Sequence, residues 1–133
     1  MTGKKLYIAS SWEDRRQAKS IMLLLESLNY IITEDWTIHE KARTYDNCLN
    51  DVRGIKNCDF FVLLNSGKKT PGKHVELGLA YGFDKKIMTV GKELNSVFKH
   101  LVGKHFNVSI EKHSVIVDSI IEYMEKTIKT RGQ

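Results

Sequence analysis

CDFFVLLN, residues 58–65, is an apolar run entered through Cys58 and Asp59 and left at Asn65. Short continuous runs of this kind are buried on both faces, as strands are in the middle of a parallel sheet. Upstream, KLYIA (5–9) predicts a buried strand and YIITEDW (30–36) a second one running into a polar loop. Between them SSWED leads into a helix over 15–28, where Ala18, Ile21, Met22, Leu25 and Leu28 recur at three and four until Asn29 breaks the pattern. Ser11, three residues before Asp14, resembles an N-cap with an acidic first turn. Residues 37–44 are turn-like, and Leu49, Val52 and Ile55 mark a second helix over 45–56. Downstream, HVELGLAYGF (74–83) predicts a third helix, KIMTVG (86–91) a fourth strand and KELNSVFKHL (92–101) a short helix. HFNVSIE (105–111) gives a weaker fifth strand. A last helix over 114–129 carries Val115, Val117, Ile120, Ile121, Met124 and Ile128. Strands alternating with helices across short loops predict one α/β domain over residues 1–133. Its architecture is then a flavodoxin/Rossmann-like three-layer sandwich around a central, mostly parallel five-stranded sheet.

The 133 residues, 41% of them hydrophobic, suffice for one core. No apolar run approaches the roughly 20 residues of a membrane span, and MTGKKLYIASSW lacks the pattern of a signal peptide. The reading is a cytoplasmic protein. Cys48 and Cys58, without CxxC spacing, fit two reduced thiols. His39, His74, His100, His105 and His113 form no ligand pair, so no metal is expected. The net charge is +5, but the lysines are dispersed and no basic stripe interleaves with aromatics. That argues against polymeric nucleic acid and suits a small phosphorylated ligand.

In an open parallel sheet, ligands bind beyond the C-terminal ends of the strands, at the switch in strand order. Ser10, Ser11 and Trp12 follow the first strand, Asp35 and Trp36 the second, and Asn65, Ser66 and the loop SGKKTPGK the third. The loop is no Walker motif, and no GxGxxG follows the first strand. What remains is a glycine-containing turn at Gly72, Lys73 and His74 entering a helix N-terminus, able to hold a phosphate or a polarised oxygen. Within PGKHVELGLAYG (71–82), Val75, Leu77, Leu79 and Ala80 want a core, and Gly78 and Gly82 allow another backbone to approach. Glu76, in the first turn or so of that helix, has no basic partner at helical spacing on its C-terminal side. Its place near the crevice makes it a candidate to face a ligand. Asp51 lies off the Leu49–Val52–Ile55 stripe, and a helix packed over the crevice would aim it at the same ligand. Two carboxylates across one sugar are the arrangement that breaks a glycosidic bond.

The ordered set LYIASSW, EDW, NDVRGIKNCDFFVLL and PGKHVELGLAYGFDKK resembles the nucleoside 2-deoxyribosyltransferase family, which includes N-glycosidases of nucleoside monophosphates. The likeness runs from about Leu6 to Leu101. It is most specific at G-x-H-V-E-L-G-x-A-x-G, preceded by D-x-x-x-I-K-x-x-D-x-F-V. The resemblance implies that Glu76 is a nucleophile forming a covalent glycosyl intermediate, oriented by Tyr7 in the first strand. It implies that Asp51 touches sugar or base and assists proton transfer. It also implies that Asn95, in KELNSVF, enters a neighbouring subunit's site. The transferases' aspartate before the nucleophile helix is absent from KKTPGKH (68–74), which leaves the base open and makes the loop cationic. Ser10, Ser11 and Lys73 are the candidates for phosphate contacts.

The expected activity is cleavage of the N-glycosidic bond of a (deoxy)nucleoside or its 5′-monophosphate without metal or cofactor, the sugar passing to water or another base. The competing reading is a module that binds or sequesters a nucleotide-derived signal; NAD-type substrates come third. A homodimer or higher oligomer with shared sites is expected from the resemblance and from Leu94, Val97, Phe98 and Leu101, apolar residues beside the crevice.

Overall fold

The computed structural model describes residues 4–39, 45–95 and 97–131. The expected turn is therefore described only as far as residue 39, and the side chain of Ile128 lies outside the described set. The strands are β1 (Lys5–Ala9), β2 (Ile31–Ile32), β3 (Phe60–Asn65), β4 (Lys86–Gly91) and β5 (Lys104–Phe106). The α-helices are α1 (Arg15–Ser27), α2 (Tyr45–Asn57), α3 (Pro71–Gly82) and α4 (His113–Arg131). Single 3-10 turns lie at Trp12–Asp14, Trp36–Ile38 and Val97–Leu101.

All pairings are parallel, in the order β2-β1-β3-β4-β5, so the switch point falls between β1 and β3. α2 packs on α3 and α4 beside α1, the arrangement that the right-handed rule for parallel crossovers leads one to expect on the two faces of the sheet. The apolar run behaves as its composition dictates: every residue of β3 is buried, between β1 and β4 and under helices on both sides. Full burial of each large side chain there contributes roughly 1.5–3 kcal/mol. No helix among the described residues is long and apolar enough to cross a membrane.

Six details depart from the expectation. The second strand shrinks to Ile31–Ile32 because polar side chains capture the backbone beyond it. Thr33 Oγ1 donates to the Gly54 carbonyl at 2.7 Å, and Asp35 accepts the Thr37 amide and caps the next turn. The Ile8 carbonyl, which a longer β2 would have covered, instead accepts Trp36 Nε1 at 2.6 Å. The expected helix over 92–101 is only a 3-10 turn from Val97, and β5 is Lys104–Phe106. α3 starts three residues early, since Pro71 suits a first helical position, and this moves Glu76 into the second turn. Leu28 and Val115, expected on helix stripes, are exposed; Ile116 takes the core position in α4. Val75 is also exposed, and a Cβ at Gly78 or Gly82 would meet nothing within 4 Å, so those glycines admit no close backbone within this chain.

Candidate active site

The switch point opens into a cavity of about 470 Å³ between the ends of β1 and β3 and the helices α2 and α3. Tyr7 stands behind its wall, against Glu76. The residue is fully buried, and its ring stacks on Phe61 with centroids 5.8 Å apart and planes within 7°. Its hydroxyl donates to Glu76 Oε2 at 2.6 Å. A short bond to a carboxylate from a ring locked by packing fixes where that carboxylate sits. α2 can lie this close only because of Gly54: a Cβ there would stand 2.6 Å from Glu34 Cβ and 3.1 Å from Tyr7 Cδ2.

Glu76 is half-buried and lines the cavity together with Asp51 of α2, also half-buried. Ser10, Ser11, Trp12 and Trp36 close the β1 side. Gly72 and Lys73 contribute from the start of α3, and Val52, Ile55 and Leu79 supply apolar wall. Trp12 and Trp36 meet at 6.4 Å with planes tilted by 47°, and the Arg15 guanidinium lies 4.6 Å over the Trp12 ring. The walls are mostly apolar around two acids, the composition of a small-molecule site.

Of the expected site residues, Tyr7, Ser10, Ser11, Trp12, Trp36, Asp51, Gly72, Lys73 and Glu76 meet here. Asp35, His74 and Asn95 do not line this cavity. Asp35 bonds to Lys19 and to Thr37, and capping its turn occupies it. Burial alone would raise its carboxyl, but the bonds from Lys19 and Thr37 outweigh that and hold it below the ordinary value. His74 is exposed and edge-on to Phe98 at 5.8 Å. It lines, with Asn95, a second cavity across the β3–α3 loop.

Ser11 does not act as a side-chain cap. Its hydroxyl donates at 2.9 Å to Asp14 Oδ2, which Ser66 Oγ also reaches, and Lys68 Nζ lies 3.0 Å from Asp14 Oδ1. Asp14 is buried; burial pushes its carboxyl upward, yet the donors Ser66, Lys68 and Ser11 prevail and hold it low. This carboxylate ties the loop after β1 to the loop after β3. Lys73 is 5% exposed; its ammonium donates to Asn65 Oδ1 at 2.9 Å and to the Lys68 carbonyl. Burial lowers its pKa, against the opposing pull of Asp14.

Asp14, Gly54, Cys48 and Thr70 are missed by sequence reasoning. A glycine inside the α2 stripe is the available sign of a close approach, and the strand-end rule places Asp14 and Lys68 on the same rim. Cys48 is exposed on the cavity wall. Cys58 is buried, its Sγ donates to the Ile55 carbonyl, and burial pushes the thiol up to about 12. Among the described residues no group of three or more His, Cys, Asp or Glu is placed to hold a metal ion.

The fold and the site together define a doubly wound α/β domain with a tyrosine-held glutamate at its switch point. This fold is shared with solved enzymes. The CMP N-glycosidase BcmB of Clostridium botulinum superposes with a TM-score of 0.64 at 22% identity, over 90% of this chain and 99% of that one. A 2-deoxyribosyltransferase from Leishmania mexicana superposes with a TM-score of 0.51 at 20% identity, over 65% of this chain and 63% of that one. These are the two kinds of enzyme to which the sequence resemblance points. No protein-family model matches the chain, and no curated protein matches it by sequence.

Proposed function

We propose that this protein cleaves the N-glycosidic bond of a (deoxy)nucleoside or its 5′-monophosphate, with Glu76 as nucleophile. The observation that carries this reading is the 2.6 Å bond from the buried Tyr7 hydroxyl to Glu76, on the wall that also holds Asp51. A Glu76 oxygen forms a bond to C1′ as the bond from C1′ to the base nitrogen breaks. The electron pair leaves with the base, and Asp51 supplies the proton the base takes up. Positive charge developing at C1′ is stabilised by the same carboxylate that captures it. Water or a second base then attacks C1′, Asp51 accepts the incoming proton, and Glu76 is released. The tryptophan pair and Leu79 offer apolar surface for the base. A 5′-phosphate would meet the N-terminus of α3, where Gly72 and Lys73 line the cavity.

The test is incubation with nucleosides and their 5′-monophosphates, with free base read by chromatography. Base release lost in Glu76→Ala supports the reading. Binding without any base release would favour a sequestering module.

We further propose a homodimer with shared sites. Of the apolar residues expected at such an interface, Val97 and Phe98 are exposed, whereas Leu94 is buried and Leu101 half-buried; Val75 and Tyr81 of α3 are exposed as well, and a partner subunit would bury these side chains. Hybrids of Glu76→Ala and Asn95→Ala subunits should then recover activity that neither parent shows. An active monomer in sedimentation refutes the sharing.

A further inference from the structure

Across the β3–α3 loop from the glutamate cavity lies a second one of about 630 Å³. The two share Thr70 and Lys73, and the second adds Lys68, Lys69 and Lys92. A cluster of lysines is ordinarily a solvated face, but three features set this one apart. Lys73 is 5% exposed, at the boundary of both cavities, and its two acceptors leave one of its three ammonium protons over. Lys92 is anchored to the sheet: its amide donates to the Asn65 carbonyl at 2.8 Å and its carbonyl accepts Asn65 Nδ2 at 2.8 Å. Its side chain runs over Gly67, where a Cβ would stand 2.8 Å from Lys92 Cδ, at a backbone φ of +94° that itself favours glycine. The loop is shaped to let this lysine lie there.

The local charges do not cancel. Asp14 neutralises Lys68, and Glu93 on the rim lies 3.9 Å from Lys99. Lys69 and Lys92 have no ion-pair partner among the described residues, which leaves them and Lys73 facing the space. Thr70, in the wall between the cavities, buries a hydroxyl that has no hydrogen-bond partner among those residues, a cost that a ligand oxygen would remove after rotation about χ1.

We propose that the second cavity receives a second phosphoryl group joined to the 5′-phosphate, so that the preferred ligands carry a 5′-pyrophosphate. This rests on the glycosidic reading, which puts the first phosphate at the start of α3, and it narrows the substrate class. A terminal pyrophosphate and one bridging two nucleosides offer the same chemistry to Lys69, Lys73 and Lys92.

Calorimetry on the full chain carrying Glu76→Gln compares the 5′-mono- and 5′-diphosphates of the common nucleosides, with NAD⁺ as the bridged probe. Chromatography scores base release by the wild type on the same compounds. At least one diphosphate or NAD⁺ should bind about tenfold tighter than the matching monophosphate. Lys92→Ala should move that ratio toward one. Tight binding by NAD⁺ alone identifies the bridged form, and by diphosphates the terminal one. Equal or weaker binding of every pyrophosphate, or an advantage that survives Lys69→Ala with Lys92→Ala, overturns the inference. If monophosphates release base without a pyrophosphate advantage, this inference falls and the glycosidic reading stands. If the advantage appears without base release, the glycosidic reading falls and the pyrophosphate site stands. No binding at all overturns both.

Discussion

Two carboxylates stand on the same rim of the sheet, and their surroundings assign them opposite work. Asp14 is 6% exposed and is gripped by Ser11, Ser66 and Lys68, donors from the loops that follow β1 and β3. Glu76 is half-buried on a cavity wall, held at one oxygen by a tyrosine whose ring cannot move. An acid converged upon by donors from separate loops is a clamp. An acid held by a tyrosine and facing a cavity is what the proposed reaction asks of its nucleophile. What separates the two is burial and the origin of the donors: two loops converge on Asp14, whereas Glu76 takes a bond from a strand residue and borders a cavity.

The comparison breaks first at Glu76. Glu76→Ala should lower base release by about a thousandfold or more; it also takes an acceptor from the buried Tyr7 hydroxyl, at a stability cost of about 1 kcal/mol, smaller than that of undoing the Asp14 clamp. Near-normal turnover would end the nucleophile assignment. Glu76→Gln should still bind ligand, being nearly isosteric.

The reverse pattern is expected at Asp14. Asp14→Ala strands the Ser11 and Ser66 hydroxyls and should cost about 2–3 kcal/mol in a denaturant titration. The pH dependence follows from the same contacts. Asp14 and Asp35 both titrate below the ordinary 3.8, so the stability they contribute is complete above that value and is lost as pH falls through their lowered ones. Asp14→Asn should flatten the acid limb of the stability curve. An unchanged limb would mean the clamp contributes nothing.

Tyr7→Phe sharpens the contrast at smaller amplitude. It keeps the stack on Phe61 and removes the bond to Glu76. The expectation is a loss of about ten- to thirtyfold in kcat with KM and stability little changed, measured by steady-state kinetics and thermal melting. A collapse in stability instead would make the tyrosine a structural member like Asp14. The smallest effect is a few-fold preference for a 5′-monophosphate over its nucleoside, which should shrink with added salt if Lys73 and the α3 terminus hold the phosphate. Equal rates on both would place the activity at the nucleoside level.

What can be read from the sequence follows from how locally each feature is encoded. The unbroken run of β3 and the three-and-four spacing of α1 carry their burial in consecutive residues, and Ser10, Ser11, Trp12 and Trp36, which the strand-end rule gathers, line one cavity. The rule names the loop, however, and not the direction of a side chain. Asp35 sits after β2 as expected, yet it turns to Lys19 and caps Trp36–Ile38. The partnership of Tyr7 with Glu76 spans 69 residues and comes only through the resemblance. The Asp14 clamp, reaching 52 and 54 residues along the chain, has no local signature beyond Ser11. β2 reads too long because two isoleucines beside a tyrosine favour a strand, while Thr33 and Asp35 spend their side chains on competing backbone bonds.

The brevity of β2 has a further consequence for the molecule in solution. A sheet whose middle strands are this apolar is a template for aggregation wherever its margins offer a long unpaired backbone. Here one margin is two residues long. The other is three, headed by Lys104. Neither gives an incoming strand enough consecutive hydrogen bonds to hold, so the sequences most prone to fibre formation, in β1, β3 and β4, are screened by the edges that guard them.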